Sequence, residues 1–224
     1  MEQIKFQVHP KSFAYFLSFD LAKIHTGWSL CNFNEDKLTI LEVGVIDMSN
    51  ARPEEFWLEY YRQLSRVFSQ FLPYKEKMLV LKERMPMQNG RFSSIAALQA
   101  LAQCHAVFDL LVAQFGFIIY DTEGIPAISE KALFRQLTGK DKVEKTDIRE
   151  FILSHSVHKM QEDVSLDITD SIAVTMTLCL HTAEQDIKKE LAEIRKQKKQ
   201  YKSAKKIAQL EERETALQHL LKGD

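Results

Sequence analysis

The chain lacks most of what would mark a stapled, zinc-organised or membrane-inserted protein. It has only three cysteines in 224 residues, Cys31, Cys104 and Cys179. An odd number at such wide separations suits neither a disulfide framework nor a zinc ribbon, so buried, reduced thiols of a cytoplasmic protein are the expectation. His25, His155, His158 and His181 have no companions at zinc-like spacing. Structural or solvent-facing places are expected for them, with His25, near Asp20, the one to follow. No basic segment followed by an apolar stretch opens the sequence, which argues against a secretory signal. No uninterrupted apolar run approaches the roughly 20 residues that span a bilayer, and no internal repeat is visible. An excess of one charge is missing as well: 30 basic residues face 31 acidic ones, net −1, so overall charge offers no pull on a polyanion.

What remains is ordinary for a globular chain, 45% hydrophobic and 27% charged. The length allows one well-buried domain plus an appendage. Residues 14–20, 27–33 and 38–46 are apolar, β-branched or aromatic, and are separated by short polar links. They predict three consecutive antiparallel strands, with Gly27 and Asn34-Glu35-Asp36 as turn chemistry. Pro53 suits the start of a helix reaching about residue 72, with Phe56, Tyr60, Leu64, Val67 and Phe71 at helical spacing and Pro73 as its stop. Residues 78–83 read as a buried strand, 93–115 as a long helix and 117–120 as a fifth strand after Gly116. Helices follow near 129–137, 146–154 and 167–184. The order predicts an α/β domain with a mixed five-stranded sheet flanked by helices over residues 1–183. Residues 184–224 are expected to form a charged, basic helical extension. Its partial stripe of Ile187, Leu191, Ile194 and Tyr201 is broken by Lys198 and Lys205, too irregular for a coiled coil.

Four carboxylates stand out in this frame. Asp20 and Glu83 each end an apolar strand, and Asp167 and Asp170 lie three apart at the start of a helix, on one face. A carboxylate at the end of a buried strand costs desolvation energy unless a cation lies beside it. Hard divalent ions take oxygen ligands. If the first and fourth strands pair, these side chains can hold two Mg2+ or Mn2+ ions about 4 Å apart, an arrangement suited to phosphodiester hydrolysis. Each residue also has a plainer reading: Asp20 as a strand terminator, Glu83 in a charge cluster with Lys82 and Arg84, Asp167 as a helix N-cap and Asp170 as a first-turn acid favoured by the helix dipole.

The motifs resemble those of the RuvC-type Holliday-junction resolvases of the ribonuclease H-like fold, over about residues 14–182. Phe19-Asp20-Leu21-Ala22-Lys23-Ile24-His25-Thr26-Gly27-Trp28 is similar to the family's first motif. Leu81-Lys82-Glu83-Arg84-Met85-Pro86-Met87 resembles the second, and Asp167-Ile168-Thr169-Asp170-Ser171-Ile172-Ala173 the last. Gly139-Lys140-Asp141-Lys142-Val143-Glu144-Lys145 resembles the basic segment between them. Ala22 and Asp141 stand where the family has glycines. Pro86 stands where an aromatic wedge is expected, with Phe92 as a substitute; such divergence, with the basic extension, resembles phage-encoded members. The resemblance implies a magnesium-dependent endonuclease, with manganese able to substitute and two ions per active site, that cuts four-way and other branched DNA. It implies metal ligands Asp20, Glu83, Asp167 and Asp170, and a homodimer, since symmetric cutting needs two active sites.

Lys145 is a candidate contact to the scissile phosphate, or equally a solvated lysine beside Glu144. Lys140 and Lys142 are expected on the DNA backbone. Arg84, Arg91 and Phe92 are further DNA candidates near Glu83, the last two equally readable as a helix start. Arg195, Lys196, Lys198, Lys199, Lys202, Lys205 and Lys206 form a run without acids that favours DNA contact or an arm ordering on binding, against a plain solvated face. The helix at 93–115 is the candidate dimer interface. Two alternatives remain: a ribonuclease H-like nuclease for RNA–DNA hybrids or single strands, and a catalytically silent nucleic-acid-binding protein.

Overall fold

The computed structural model describes residues 12–34, 37–85, 94–155, 165–200, 207, 209–215 and 218. The strands are β1 (Tyr15–Asp20), β2 (His25–Asn34), β3 (Lys37–Asp47), β4 (Met78–Lys82) and β5 (Ile118–Ile119). The helices are α1 (Phe56–Phe71), α2 (Ile95–Phe115), α3 (Ala127–Thr138), α4 (Lys145–His155) and α5 (Leu166–Gln200). One mixed sheet runs in the order β3-β2-β1-β4-β5. β1, β2 and β3 form the anticipated antiparallel meander, while β4 joins β1 and β5 joins β4 in parallel. The mixed five-stranded sheet expected from the element order, and the ribonuclease H-like arrangement implied by the resemblance, are what the chain adopts.

Several boundaries differ from the sequence reading. Pro53 lies in a turn ahead of α1, where the Glu55 N–H donates to the Arg52 carbonyl (3.0 Å) and the Arg52 guanidinium meets the Glu55 carboxylate (3.0 Å). α1 ends at Phe71, and Pro73 opens a 3-10 segment, Leu72–Lys77, instead of ending the helix directly. β5 is cut to two residues. α5 does not stop near 184 but continues to Gln200. The chain divides into two compact units, Met1–Leu178 and Cys179–Asp224, so this helix crosses from one into the other.

Strand alternation sends β1 side chains to two different environments. Leu17 and Phe19 join Trp28, Leu30, Met78 and Val80 under α1 and α2 in one apolar core. The Phe19 ring sits 5.4 Å from Phe68 and 5.1 Å from Phe108, centroid to centroid. Ser18 and Asp20 point the other way, toward α5, where the Ser18 and Thr175 hydroxyls hydrogen-bond. A second apolar cluster extends that side, with Phe134 of α3, Ile148 and Ile152 of α4 and Ile172 of α5 against Leu38, Ile40 and Val43 of β3.

α2 is capped at both ends: the Ser94 hydroxyl accepts from the Ala97 N–H (3.2 Å), and Gly116 closes it at φ +71°. Among the described residues it is the one helix long and apolar enough to match a membrane span. Its Cys104, Phe108, Leu111 and Val112 are nevertheless packed into the core, while Ile95 and Leu110 are exposed.

In the second unit, Arg195 donates to Glu214 (2.9 Å), and Lys198 reaches both Glu211 and Glu214 at 3.2 Å. Arg195 with Glu214 and Lys198 with Glu211 run in opposite senses along the chain, so residues 209–215 lie antiparallel to the end of α5. Two cations of the basic run therefore have acidic partners that lie downstream in sequence. Tyr201, Lys202, Lys205 and Lys206 fall outside the described residues.

Candidate active site

Asp20 closes β1, where the register pairs Phe19 with Lys82. The next residue of β4's segment, Glu83, donates its N–H to the Phe19 carbonyl (3.2 Å) and bridges to Ile125. Alternation then separates Lys82 from Glu83. Lys82 is buried on the α2 side, 2.5 Å from Asp109 and 5.5 Å from the centre of the Phe108 ring. Glu83 takes the α5 side with Asp20. The picture of Lys82, Glu83 and Arg84 as one solvated cluster is thus corrected. Arg84 instead meets Asp121 (3.5 Å), Glu123 (3.3 Å) and the Gly124 carbonyl (3.2 Å), pinning the loop before α3.

The link after Asp20 is held by Thr26, whose hydroxyl donates to the Ala22 carbonyl (2.8 Å), accepts from the Ala22 N–H (3.2 Å) and bonds the Tyr60 phenol (3.0 Å). Gly27 is not the turn residue expected from sequence. It lies inside β2, directly opposite Asp20. A Cβ placed there would sit 2.0 Å from the Asp167 carbonyl oxygen, so only glycine lets the start of α5 press onto the sheet at this point. Capping of α5 falls to Ser165, whose hydroxyl accepts from the Ile168 N–H (3.4 Å). Asp167 is consequently released from the N-cap role and stands partly exposed, with its charge felt at Asp170.

Asp170 is 4% exposed; one carboxylate oxygen takes an ion pair from Lys145, and the other, Oδ1, is buried without a hydrogen-bond partner. The Asp20 and Glu83 carboxyls lie within hydrogen-bonding reach of each other. Burial drives the pKa of Asp20 well above the usual carboxylate value, and the charges of Glu83 and Asp170 add to it. Burial likewise raises Glu83 and Asp170, although Lys145 opposes it in both. Burial alone would lower Lys145, but its bond to Asp170 and the charges of Asp170, Asp20 and Glu83 leave it raised.

A further acid, Glu130 in the first turn of α3, was not legible from sequence. It is 8% exposed, and burial followed by the charges of Glu83, Asp170 and Asp20 pushes it up to about 9. In sequence it resembles any first-turn glutamate favoured by the helix dipole.

The remaining candidates are dispersed. Lys140 is paired with Asp147, and Lys142 with Glu144 (2.7 Å). His25 contacts Asp47 (3.3 Å) at the surface. Arg91, Phe92 and His158 lie outside the described residues. His155 stacks on Phe151, ring centroids 4.1 Å apart.

Among the described residues no group of three or more His, Cys, Asp or Glu has the spacing of an assembled metal cage. The donor set still fits a hard divalent ion. It is all oxygen, largely desolvated, and includes a buried acceptor with no donor in Asp170 Oδ1. Lys145 supplies cationic charge to Asp170 in this arrangement.

No family model and no curated protein matches the sequence. Solved structures do. Thermus thermophilus RuvC aligns with 73% of this chain and 92% of its own at TM-score 0.55 and 16% identity. The same protein in complex with a Holliday junction substrate aligns at 0.53 and 13%, covering 73% and 91%. The fold is that of the RuvC-type resolvases. The yeast mitochondrial Holliday junction resolvase Ydc2 has it too, at TM-score 0.55 and 12% identity over 77% of this chain and 80% of its own. At these identities the likeness concerns backbone architecture. On this RuvC-type backbone Asp20 and Glu83 close adjacent parallel strands and Asp170 begins the helix across them.

Proposed function

We propose that this chain is a divalent-metal-dependent, structure-selective DNA endonuclease that resolves four-way junctions and acts on other branched DNA. The observation that carries the reading is the convergence of Asp20, Glu83 and Asp170 from three separate elements into one desolvated group, with an orphaned oxygen on Asp170. A fold shared with one protein solved with a Holliday junction substrate and another described as a Holliday junction resolvase supports the choice of substrate.

Asp20, Glu83, Asp167 and Asp170 would hold Mg2+, or Mn2+ in its place, as two ions per site. Such ions supply a lowered pKa to water and charge neutralisation at a leaving oxygen. The protein's own contribution is to exclude bulk water around Asp20 and Asp170, which strengthens electrostatic interactions there. Lys145, already drawn to the acids, is the cation to offset phosphate charge. Lys140 and Lys142, exposed on the segment before α4, would track the DNA backbone, with Arg84, Arg91 and Phe92 as further DNA contacts. Two copies would meet through α2, whose exposed Ile95 and Leu110 suit an apolar contact.

The test is cleavage of a labelled synthetic four-way junction against matched linear duplex in Mg2+ and in Mn2+, wild type beside Asp20→Asn. Paired symmetric nicks by wild type are expected. The variant should lose them while still binding the junction. Cleavage of RNA–DNA hybrid instead of junction would move the substrate to the ribonuclease H class. Binding with no cleavage in either metal would leave a silent branched-DNA-binding protein.

A further inference from the structure

Among the described residues Glu130 differs from Asp170, which gives one oxygen to Lys145, in having no structural employment. Among the described residues no hydrogen bond or ion pair reaches the Glu130 carboxyl, although the residue is only 8% exposed. Burying such a group without a partner is unfavourable, because it gives up hydration and gains no hydrogen bond in return.

Its placement is specific. Glu83 bridges to Ile125, the Arg84 N–H donates to the Ile125 carbonyl (2.7 Å), and α3 begins two residues later at Ala127. The first turn of α3 is thereby set against the end of β4, and its Glu130 faces the charges of Glu83, Asp170 and Asp20. Lys131 acts on Glu83 and Asp170. Asp170 Oδ1, buried and unpartnered, belongs to the same group.

A buried acceptor without a donor, Asp170 Oδ1 on α5, and a carboxyl with no cationic partner among the described residues, Glu130 on α3, thus belong to one group of acids. Protein groups that accept hydrogen bonds from nothing and repel one another are matched by a cation. We propose that Glu130 is a fifth carboxylate of the divalent-cation site, an oxygen ligand offered from α3 directly or through a cation-bound water. This deepens the proposed function and rests on it. The expected ligand class is a hard divalent ion such as Mg2+ or Mn2+.

The experiment is a Mn2+ titration of the full chain without DNA, following free Mn2+ by electron paramagnetic resonance. Wild type would be compared with Glu130→Gln, Glu130→Asp, Asp20→Asn and the surface control Glu76→Gln, with melting temperatures recorded without metal. Glu130→Gln should melt near wild type in the absence of metal and bind Mn2+ about tenfold more weakly or worse. Glu130→Asp should fall between them, and Glu76→Gln should match wild type. Mn2+ binding that is lost in Asp20→Asn but intact in both Glu130 variants would overturn the assignment while leaving the cation site standing. Binding unaffected by every substitution, Asp20→Asn included, would sink the cation site itself. If Glu130→Gln fails to fold, Glu130→Asp decides: unchanged Mn2+ affinity would make Glu130 a structural acid, and weakened affinity at an unchanged melting temperature would uphold the proposal.

Discussion

The two faces of β1 follow the same backbone and obey different physics. On one, Leu17 and Phe19 are sealed by α1 and α2 among aromatic rings, and the packing is its own reward. On the other, Ser18 and Asp20 meet the polar start of α5, and carboxyls are crowded out of water with too few donors. Neighbouring residues therefore serve opposite ends: Phe19 contributes stability, and Asp20 consumes some of it. Lys82 and Glu83 repeat the division on β4, one neutralised on the aromatic side, the other left among like charges. A strand of period two can thus hold a strained, charged site rigidly by anchoring every second residue in a core that tolerates no movement.

Removing the anchor should have the largest effect. Phe19→Ala leaves a cavity beside Phe68 and Phe108 and should cost about 3–5 kcal/mol of stability. Urea unfolding monitored by fluorescence measures this directly; a loss under about 1 kcal/mol would mean the aromatic face is not the anchor. Any surviving folded fraction should retain junction cleavage, since Phe19 faces away from the acids.

A smaller and more pointed effect is expected where the charged face meets α5. Gly27→Ala would drive a methyl group into the Asp167 carbonyl, forcing the helix start outward. A destabilisation of about 1–3 kcal/mol is expected, together with a drop in cleavage disproportionate to the stability lost. Unchanged Mn2+ affinity and cleavage in a folded Gly27→Ala protein would show that the seating of α5 on β2 does not align the acids.

The gentlest perturbation is pH. Asp20, Glu83, Asp170 and Glu130 all bind their protons more tightly folded than unfolded. That preference favours the folded state fully below the unfolded carboxylate values and is lost as pH climbs through the folded ones. For Glu130 the window runs from 4.5 to about 9. Lys145, raised from 10.5, keeps its contribution throughout this window. The metal-free melting temperature should therefore decline gradually as pH rises across it, and millimolar Mg2+ or Mn2+ should flatten the decline. A melting temperature that rises with pH in the absence of metal would contradict the picture of an unbalanced acidic face.

Much of the architecture was legible in advance because it is written in local periodicity. The apolar, β-branched and aromatic runs at 14–20, 27–33 and 38–46 and the apolar run at 78–83 identify the strands. The same reading puts Asp20, Glu83, Asp167 and Asp170 at element ends, where functional side chains escape the core. Other features had no local trace. A glycine in β2 looks like a turn until a helix some 140 residues away is seen pressing on it. Arg195 and Lys198 read as uncompensated until the chain folds back to bring Glu211 and Glu214 alongside.

The sequence by itself determined which segments are strands and helices and which acids stand at their ends, since these depend on neighbours within a few residues. Only the tertiary structure decided that Lys82 is buried away from Glu83's companions, that Ser165 frees Asp167 from capping, and that Glu130 joins the acidic group. Those outcomes depend on which distant elements dock and on the burial that docking imposes. Desolvation and like-charge crowding are properties of the assembled face, and no stretch of residues carries them before it is assembled.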